Sequence, residues 1–308
     1  MEKEKVSIVV PCYNRAHTLG QLAVGIINQS YRPIELILVD DGSTDGTEKL
    51  IPQLTEKLEK AGIAFKYVRQ ENQGVGAAVN CGLKYVTGEY LAWQDSDDEL
   101  LPESTEVKVR FLKEHPEFGS VSTNAIQFVH EENGDRLLDL LTEDIEANST
   151  PDQMIPLLLR KSLFCPGCHL VRTEVFRQSH GGMCIDPARH GQNLQMLIPV
   201  YYYAKHGFIN QPLYKYRVEG LRMTAQIQKM NFRGFRTREY EYIQMVKNTL
   251  AQIPQMPEAE RKKYYRIFKK HTHFLILDMA VKHGSAVQKF FWKTVVKLDN
   301  IRYGNLLS

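Results

Sequence analysis

No stretch of this 308-residue sequence approaches the ~18 consecutive apolar residues that a membrane-spanning helix needs. The start of the chain also lacks the charged and then apolar pattern of a secretory leader. We therefore expect a protein of the cytoplasm. Its five cysteines are an odd number, so reduced thiols are expected in that compartment rather than a framework of disulfides.

Internal repeats and low-complexity tracts are also missing, and the net charge of the whole chain is only +3. That charge is unevenly distributed along the chain. Residues 226–308 hold 16 basic and 6 acidic side chains, a net charge of +10, which leaves −7 for residues 1–225. No nucleic-acid-binding motif accompanies the basic segment, so a nucleic acid is not an expected partner.

Acidic residues are concentrated where the apolar run GEYLAWQ is followed by Asp95, Ser96, Asp97 and Asp98. If the strand stays extended through Asp97, its period of two places Asp95 and Asp97 on one side and Ser96 on the other. Carboxylates so placed suit Mg²⁺ or Mn²⁺, which take one or two carboxylates together with phosphate oxygens. The pattern predicts a metal-bound diphosphate. The alternative is an acidic turn before a helix that starts at Pro102.

The first hundred residues alternate between strand and helix patterns. Apolar runs predict strands at residues 6–10, 34–39 and 64–68, and a fourth strand that starts at Gly88. Pro11 is expected to stop the first strand, and helix patterns occupy residues 19–27 and 77–86. This order predicts an α/β fold with a mainly parallel, doubly wound sheet and helices on both faces.

Two segments that follow strands are suited to a nucleotide. Asp40 and Asp41 come after the strand at residues 34–39, at the edge where open α/β sheets bind ligands. A carboxylate there can accept the ring N–H of uracil, thymine or guanine, whereas adenine has no such proton. The turn around Gly74 precedes a helix, so it either offers backbone N–H groups to a phosphate or simply makes a tight connection.

Four segments, VSIVVPCYNRAHTL, ELILVDDGSTDGT, ENQGVGAAVNCGL and GEYLAWQDSDDELLP, resemble the successive signatures of family 2 glycosyltransferases, which have the GT-A fold. The resemblance covers about residues 5–220 and is most specific before residue 105. It implies transfer of a sugar from a nucleotide-diphosphate donor, expected to be a UDP-sugar, with inversion at the anomeric carbon. It also implies a glycan acceptor, expected on a lipid carrier, in the synthesis of a bacterial capsule, exopolysaccharide or O-antigen.

The resemblance assigns roles to residues that bind the nucleotide. Pro11, Tyr13 and Asn14 match the segment that lines the nucleoside. Asp41 or Asp40 matches the carboxylate that reads the base.

Further positions match the part of the family's site that holds the diphosphate. Asp95 and Asp97 match the metal-binding pair, with Ser96 between them, and Gly74 and Asn80 match the glycine turn and its helix. A Mn²⁺ or Mg²⁺ ion at the pair would stabilise the charge on the leaving diphosphate by several kcal/mol.

The chain departs from the family where a Glu-Asp pair usually follows a glycine, because Gln192 and Asn193 stand there. Inverting transfer needs a base that removes the proton of the acceptor hydroxyl, and neither amide can serve. One hypothesis makes Asp186 or His190 the base. In a second, Gln192 orients the acceptor and the base comes from elsewhere. In a third, the chain is a catalytically impaired scaffold that binds nucleotide sugars in a polysaccharide-assembly complex.

A second departure concerns the charge available to the diphosphate. Val79 precedes Asn80, where the family often has an arginine. Arg217 or Arg222 is a candidate for the missing cation, since arginine is the preferred bidentate partner of phosphate, and the alternative for each is a surface position.

These patterns divide the chain into a GT-A catalytic domain at residues 1–225 and a basic helical region at residues 226–308. Residues 1–104 are expected to bind the nucleotide sugar and residues 105–225 to form the acceptor side, with a loop or hairpin at residues 130–150. The basic region either lies on the anionic inner face of the cell membrane or packs on the catalytic domain. Its aromatic residues include Phe268, Phe274, Phe290, Phe291 and Trp292.

Two other classes of site are disfavoured by the sequence. The segment CPGCH at residues 165–169 invites comparison with a zinc or redox motif, but no second CxxC accompanies it, so a loop with buried thiols is expected. A sugar-phosphate nucleotidyltransferase would need a loop rich in glycine and arginine after the first strand, where this chain has PCYN.

Overall fold

The computed structural model describes residues 1–131, 133–187, 191–218 and 230–303. Strands and helices alternate over the first hundred residues, as the sequence predicts. The elements are β1 (Glu2–Cys12), α1 (Leu19–Ile27), β2 (Ile34–Asp40), α2 (Ile51–Lys60), β3 (Ala64–Arg69), α3 (Val75–Leu83) and β4 (Gly88–Trp93).

The rest of the chain mixes short strands with helices and ends in long helices. Its first elements are β5 (Glu99–Leu100), α4 (Ser104–Glu114), β6 (Phe118–Glu131), β7 (Gly134–Leu140), α5 (Ile145–Ser149), α6 (Met154–Leu158), β8 (His169–Arg172), α7 (Thr173–His180), α8 (Gln192–Tyr203) and β9 (Lys205–Arg217). The long helices are α9 (Phe232–Gln252), α10 (Glu258–His283) and α11 (Ala286–Tyr303).

Among the described residues, the strands form one nine-stranded sheet with the order β3-β2-β1-β4-β8-β6-β9-β5, and β7 pairs with β6 beside this path. The strands β3, β2, β1 and β4 are parallel, as predicted. Beyond β4 the sheet is mixed, because β8 is antiparallel to both β4 and β6 whereas β6 and β9 are parallel. The parallel prediction therefore holds for the half of the sheet that precedes residue 94.

Side chains of β1 alternate between two hydrophobic cores, one on each face of the sheet. Val9 packs with Trp93 and with residues of α3 and α8 in one core. Ile8 packs with Leu22 of α1 in the other. Because β1 and β2 are covered on both faces, they are nearly continuous apolar runs, and each buried side chain contributes about 1.5–3 kcal/mol.

The local predictions for the first helix and strand have different outcomes. The apolar spacing at residues 19–27 gives α1 with the predicted bounds. The prediction that Pro11 stops the first strand is wrong, since β1 continues to Cys12. The last residues of β1 pair with β2 after the pairing with β4 has ended at Val9, so a residue without an N–H is tolerated there.

The hairpin expected at residues 130–150 is present. It consists of β6 and β7, which pair from Ile126 with Leu140 to Glu131 with Gly134. The pairing register shifts between Ile126 and Phe128, an irregularity of the kind that bends a strand and increases its twist.

The basic C-terminal helices pack on the rest of the chain. α9 and α10 bury Val246, Leu250 and Phe268 in the same core as α8. A separate cluster that includes Phe232 and Trp292 joins α9, α10 and α11. The basic region was expected either to lie on the membrane or to pack on the catalytic domain. For α9 and α10 the structure shows packing against the preceding part of the chain. No helix in the described ranges has both the length and the apolarity that crossing a membrane requires.

Candidate active site

A cleft of about 980 Å³ lies at the carboxyl ends of β1, β2 and β4. Residues that follow these strands line it, together with the first turns of α3 and α8, the segment after α6, and one face of α9. This is the edge at which open α/β sheets bind ligands, because strand ends and helix N-termini meet there. The sequence-predicted residues Pro11, Tyr13, Gly74 and Gln192 all line this cleft.

Three carboxylates meet at one wall of the cleft. One carboxylate oxygen each from Asp95, Asp97 and Asp98 lies within 4.8 Å of the others. The expectation of an extended strand through Asp97 is wrong, because β4 ends at Trp93 and a turn follows in which the Asp98 N–H approaches the Asp95 carbonyl at 3.5 Å. The turn, rather than strand alternation, brings the acids together.

The three aspartates differ in their surroundings. Asp95 and Asp97 are half-buried and line the cleft, beside the buried Ser96. Asp98 is buried, and its carboxylate accepts hydrogen bonds from the Tyr214 hydroxyl at 3.0 Å and from the Arg217 backbone N–H at 2.9 Å. Hard oxygen ligands at this spacing fit Mg²⁺ or Mn²⁺, with Asp95 and Asp97 the accessible pair and Asp98 fixing the turn to β9.

Arg217 supports the same turn from inside the protein. Its side chain is 5% exposed, its Nε donates to the Asp97 carbonyl at 3.1 Å, and its guanidinium lies 5.1 Å from the centre of the Phe128 ring. It also donates to Gln21. Arg217 does not line the cleft, whereas Arg15 does and lies 3.6 Å from Asp97. Arg222, the other candidate cation, lies outside the described residues.

The neighbours Asp40 and Asp41 face different environments. Asp41 is also buried, at 4% exposed, but it lines the cleft. Its carboxylate accepts from the backbone N–H groups of Gln73 at 2.9 Å and Gly74 at 2.8 Å and from the Gln70 side chain at 2.8 Å. Asp40 is completely buried, where it accepts from Ser43 and from the hydroxyl of Tyr67, both at 2.8 Å. Burial and the bond to Asp40 raise the pKa of Tyr67. Of the two carboxylates, Asp41 is therefore placed to meet a ligand.

Two other predicted residues hold loops together. Asn14 has a positive φ of 54°, its backbone N–H donates to Ser43 at 2.9 Å, and its side-chain oxygen accepts from Thr44 at 2.8 Å. Asn80 bonds both backbone groups of Ile185, each at 2.8 Å. Neither residue lines the cleft, so both act on its shape through the segments they fix.

Gln192 and Asp186, two residues predicted to serve the acceptor, lie at different places in the structure. Gln192 lines the cleft at the start of α8, and Asn193 beside it accepts a hydrogen bond from the Trp93 indole at 3.1 Å. Asp186 lies off the cleft, where Asn248 of α9 donates to it at 3.2 Å. His190 lies outside the described residues.

The CPGCH segment forms the expected loop with buried thiols. Cys165 and Cys168 are buried free cysteines at a short 3-10 turn, Pro166–Cys168. Burial raises the pKa of the Cys165 thiol well above its usual value, and the hydrogen bond to Cys168 raises it further. A protonated thiol is a poor nucleophile and metal ligand, which disfavours either role for Cys165.

Sequence reasoning missed several residues of the cleft. Arg15 lies three residues after the end of β1 and lines the cleft. Its position after a strand end, like that of Asp40 and Asp41, is the signal that could have identified it. Arg160, Lys161 and Arg238 also line the cleft, but they come from the segment after α6 and from α9. No local pattern relates residues so distant in the chain, although Arg238 and Tyr242 share a helix face at a spacing of four.

Residues 7–179 match the sequence model of Glycosyl transferase family 2, which is more than half of the chain. The chain belongs to this family. EpsE of Bacillus subtilis, described as a glycosyltransferase, is 30% identical over 217 residues, which are 69% of this chain and 73% of EpsE. Other curated glycosyltransferases match over about a third of the chain and less than half of their own length. The protein is a glycosyltransferase, as its sequence motifs predicted.

Solved structures of glycosyltransferases share its fold. The crystal structure of S. aureus TarS 1–349 in complex with UDP-GlcNAc superimposes with a TM-score of 0.65 at 18% identity, over 88% of this chain and 73% of TarS 1–349. The mannosyltransferase PcManGT from Pyrobaculum calidifontis, in complex with GDP-Man and Mn²⁺, gives 0.54 at 18% identity, over 95% and 79% of the two chains. At such identities the likeness establishes the GT-A fold of this glycosyltransferase.

Proposed function

We propose that this glycosyltransferase moves a sugar from a UDP-sugar to a glycan acceptor with inversion, using a divalent cation held by Asp95 and Asp97. The observation that carries the proposal is the meeting of three aspartate carboxylates within 4.8 Å at the wall of the cleft. The fold neighbours add support, because their descriptions name a UDP-sugar in one case and GDP-Man with Mn²⁺ in the other.

Asp41 supports a uracil or guanine nucleotide. Its carboxylate lines the cleft at the end of β2 and is held by the N–H groups of Gln73 and Gly74, which precede α3. A carboxylate accepts the ring N–H that uracil and guanine carry and that adenine lacks. The UDP and GDP moieties named for the fold neighbours both have this proton.

The proposed diphosphate site combines the aspartates that would hold a metal ion with the positively charged side chain of Arg15. When bound, Mn²⁺ or Mg²⁺ supplies Lewis-acid stabilisation of the departing diphosphate. Asp95 and Asp97 would hold the ion, while Asp98, bonded to Tyr214 and β9, keeps the turn in place. Arg15 lies 3.6 Å from Asp97 and is the described cation best placed to add a charge-assisted hydrogen bond to a phosphate oxygen.

The base is the least usual part of the proposed site. Gln192 lines the cleft and would orient the acceptor hydroxyl, whereas Asn193 is engaged by Trp93. Asp186 is bonded to Asn248 away from the cleft, so of the two predicted bases we favour His190, which precedes Gly191 of the cleft wall. Its reference pKa of ~6.5 leaves a histidine mostly neutral, and able to accept a proton, at neutral pH.

We further propose that the acceptor is lipid-linked and that α11 rests on the inner face of the cell membrane. Exposed apolar side chains follow one face of this helix: Val287, Phe290, Phe291, Leu298 and Ile301 are 56–78% exposed. Lys297 borders this stripe, and Lys293 and Lys289 lie farther round the same side of the helix. A helix of this type lies in the membrane interface, and each lysine adds about 1 kcal/mol on an anionic leaflet.

A catalytically impaired scaffold is the second candidate function, and the amides of Gln192 and Asn193 favour it. Release of UDP from UDP-GlcNAc separates the two functions. For an active glycosyltransferase we expect slow release that requires Mn²⁺ and is abolished by Asp97→Ala. Tight binding of UDP without turnover, with any glycan acceptor supplied, would instead establish the scaffold.

A further inference from the structure

A basic wall, defined here as Arg160, Lys161 and Arg238, lines the part of the cleft formed by the segment after α6 and by α9. The acidic partner of its two arginines in the described part of the chain is Glu239, which is completely buried. The Arg160 Nη2 lies 2.5 Å and the Arg238 Nη1 3.1 Å from this carboxylate. Three cations against one carboxylate leave the wall with a net positive charge.

Both guanidinium groups are held in place by aromatic rings. Arg160 lies 5.3 Å and Arg238 4.8 Å from the centre of the Tyr242 ring, and Arg160 also lies 5.5 Å from the Phe268 ring. Cations stacked in this way lose little further freedom when they bind a ligand. The wall is therefore preorganised before any anion arrives.

Arg160 is also strained and incompletely bonded. Its φ of +54° lies in the left-handed region, which is strained for a residue other than glycine. The Nε atoms of Arg160 and Arg238 are buried, and within the described ranges they have no hydrogen-bond partner. Backbone strain of this kind clusters at ligand-binding sites, and here it coincides with the cleft wall.

A helix N-terminus adds to the positive charge beside the basic wall. α8 has twelve residues, starts at Gln192, and has no side-chain cap at Gly191. Gly191 touches α9 closely, since a Cβ there would lie 3.5 Å from the Tyr242 ring and 2.6 Å from Met245. The first N–H groups of α8 and the stacked guanidinium groups thus belong to one region of the cleft.

His271 is a half-buried neighbour of the basic wall. Its pKa is lowered to about 4, first by burial and then by the charge of Arg160, with Lys161 acting in the same direction and Glu239 opposing them.

We propose that the basic wall, with the first turn of α8, binds a phosphate group carried by the acceptor. This inference rests on the proposed function, in which the strand-end acids and their metal hold the phosphates of the sugar donor. The wall comes from other parts of the chain, the segment after α6 and the helix α9, which complete the cleft. An acceptor with a phosphate near its reactive hydroxyl would bind there by charge-assisted hydrogen bonds, for which arginine is the preferred partner.

The phosphate could belong to an isoprenoid lipid carrier or to the glycan itself, and calorimetry separates these sources. The protein is first saturated with UDP and Mn²⁺, so that phosphate binding reports the acceptor side alone. Citronellyl phosphate and glucose 1-phosphate are then titrated, with citronellol and glucose as uncharged controls. We expect at least one phosphate to bind while its uncharged counterpart does not. Stronger binding of citronellyl phosphate assigns the lipid carrier, and stronger binding of glucose 1-phosphate assigns the glycan.

Variants locate the phosphate. Lys161→Gln and Arg238→Gln should each weaken phosphate binding by about tenfold, the effect of losing one charge-assisted hydrogen bond. Lys161 is exposed, so its variant keeps the fold. Arg236→Gln and Lys247→Gln, at exposed positions of α9 that do not line the cleft, should leave binding unchanged.

Four results would count against an acceptor phosphate at the basic wall, and they differ in what they leave standing. Equal phosphate binding by all variants, or none by the wild type saturated with UDP and Mn²⁺, overturns the acceptor subsite and leaves the proposed function intact. Weaker UDP binding in Lys161→Gln and Arg238→Gln, without any effect on the added phosphates, assigns the wall to the sugar donor instead. Failure of UDP itself to bind the wild type overturns the proposed function and the subsite with it.

Discussion

At the scale of single residues, Asp40 and Asp41 show how one step along the chain changes a role. Asp40 is buried against Tyr67 and Ser43, whereas Asp41 lines the cleft. A carboxylate accepts the ring N–H of uracil, which cytosine lacks at neutral pH. We expect the wild type to bind UDP about tenfold more tightly than CDP, the effect of one good hydrogen bond to a charged group.

The variant Asp41→Asn should lose most of that preference, because its NH₂ group would face the N–H donors of Gly74 and Gln73. Calorimetric titration of UDP and CDP with Mn²⁺ measures the ratio of the two affinities. A general loss of affinity in the variant lowers both values equally and leaves this ratio unchanged. Asp45→Asn, at an exposed position off the cleft, is the control and should keep the ratio. A ratio unchanged in Asp41→Asn would contradict the base-reading role.

The base can be tested at the same scale. We expect His190→Ala to lower kcat by about 10²–10⁴, the usual contribution of general base catalysis, with little change in the KM of the UDP-sugar. A histidine must be neutral to accept a proton, so wild-type kcat should fall as the pH drops below ~6.5. Steady-state rates from pH 5 to 8 check both expectations.

Asp186→Asn serves as the comparison for the base. Asp186 is bonded to Asn248 off the cleft, so this variant should retain most of its activity. Loss of turnover in Asp186→Asn together with an active His190→Ala would make Asp186 the base.

At the scale of secondary-structure elements, β8 and α8 are joined through a buried histidine. The ring Nδ1 of His169 on β8 donates to the Cys165 carbonyl at 2.8 Å, and the Nε2 accepts from the Tyr201 hydroxyl of α8 at 3.0 Å. Burial lowers the pKa of His169 to about 4. Between pH ~6.5 and ~4 the unfolded chain therefore binds a proton that the folded protein does not, and stability falls as the pH falls.

We expect this one histidine to cost about 2 kcal/mol of unfolding free energy between pH 7 and 5. Urea unfolding at the two pH values should show a smaller loss in His169→Gln than in the wild type. His17→Gln, which alters an exposed histidine, should show the full wild-type loss. An equal pH dependence in all three proteins would mean that His169 already ionises in the folded state.

Elements were predictable where the signal is local. The apolar spacing of residues 19–27 gave α1 with its bounds, and the strand ends located the acid cluster and Asp41. The turn after Trp93 was not predicted, because alternation in a strand says nothing about where the strand ends. The choice between Asp40 and Asp41 was equally hidden, since it depends on which face of the sheet the cleft adjoins.

At the scale of the whole molecule, contacts between distant segments account for most of what the sequence did not reveal. Asn80 of α3 holds Ile185, and Arg160 meets Glu239 and Tyr242 of α9. Each pair is brought together by the packing of complete helices, for which no spacing in the sequence is diagnostic. The C-terminal helices, expected as an appendage, consequently supply part of the cleft wall.

The exposed stripe of α11 gives a further prediction at this scale. The protein should co-sediment with vesicles that contain phosphatidylglycerol and much less with phosphatidylcholine vesicles, because the lysines beside the stripe favour an anionic surface. The double change Phe290→Ser and Phe291→Ser should abolish co-sedimentation, since both rings are exposed. Tyr85→Ser, at another exposed aromatic residue, is the control and should bind as the wild type does. Equal sedimentation of all variants would exclude α11 as the membrane contact.

The proposed role of Asp95 and Asp97 is to hold a divalent cation that binds the diphosphate of the sugar donor. Calorimetric titration of UDP with and without Mn²⁺ tests it most directly, in the wild type and in Asp97→Asn. We predict that Mn²⁺ tightens UDP binding to the wild type by at least about tenfold, or 1.4 kcal/mol, and has no such effect on Asp97→Asn. A UDP affinity of the wild type that neither Mn²⁺ nor Mg²⁺ changes would contradict the account.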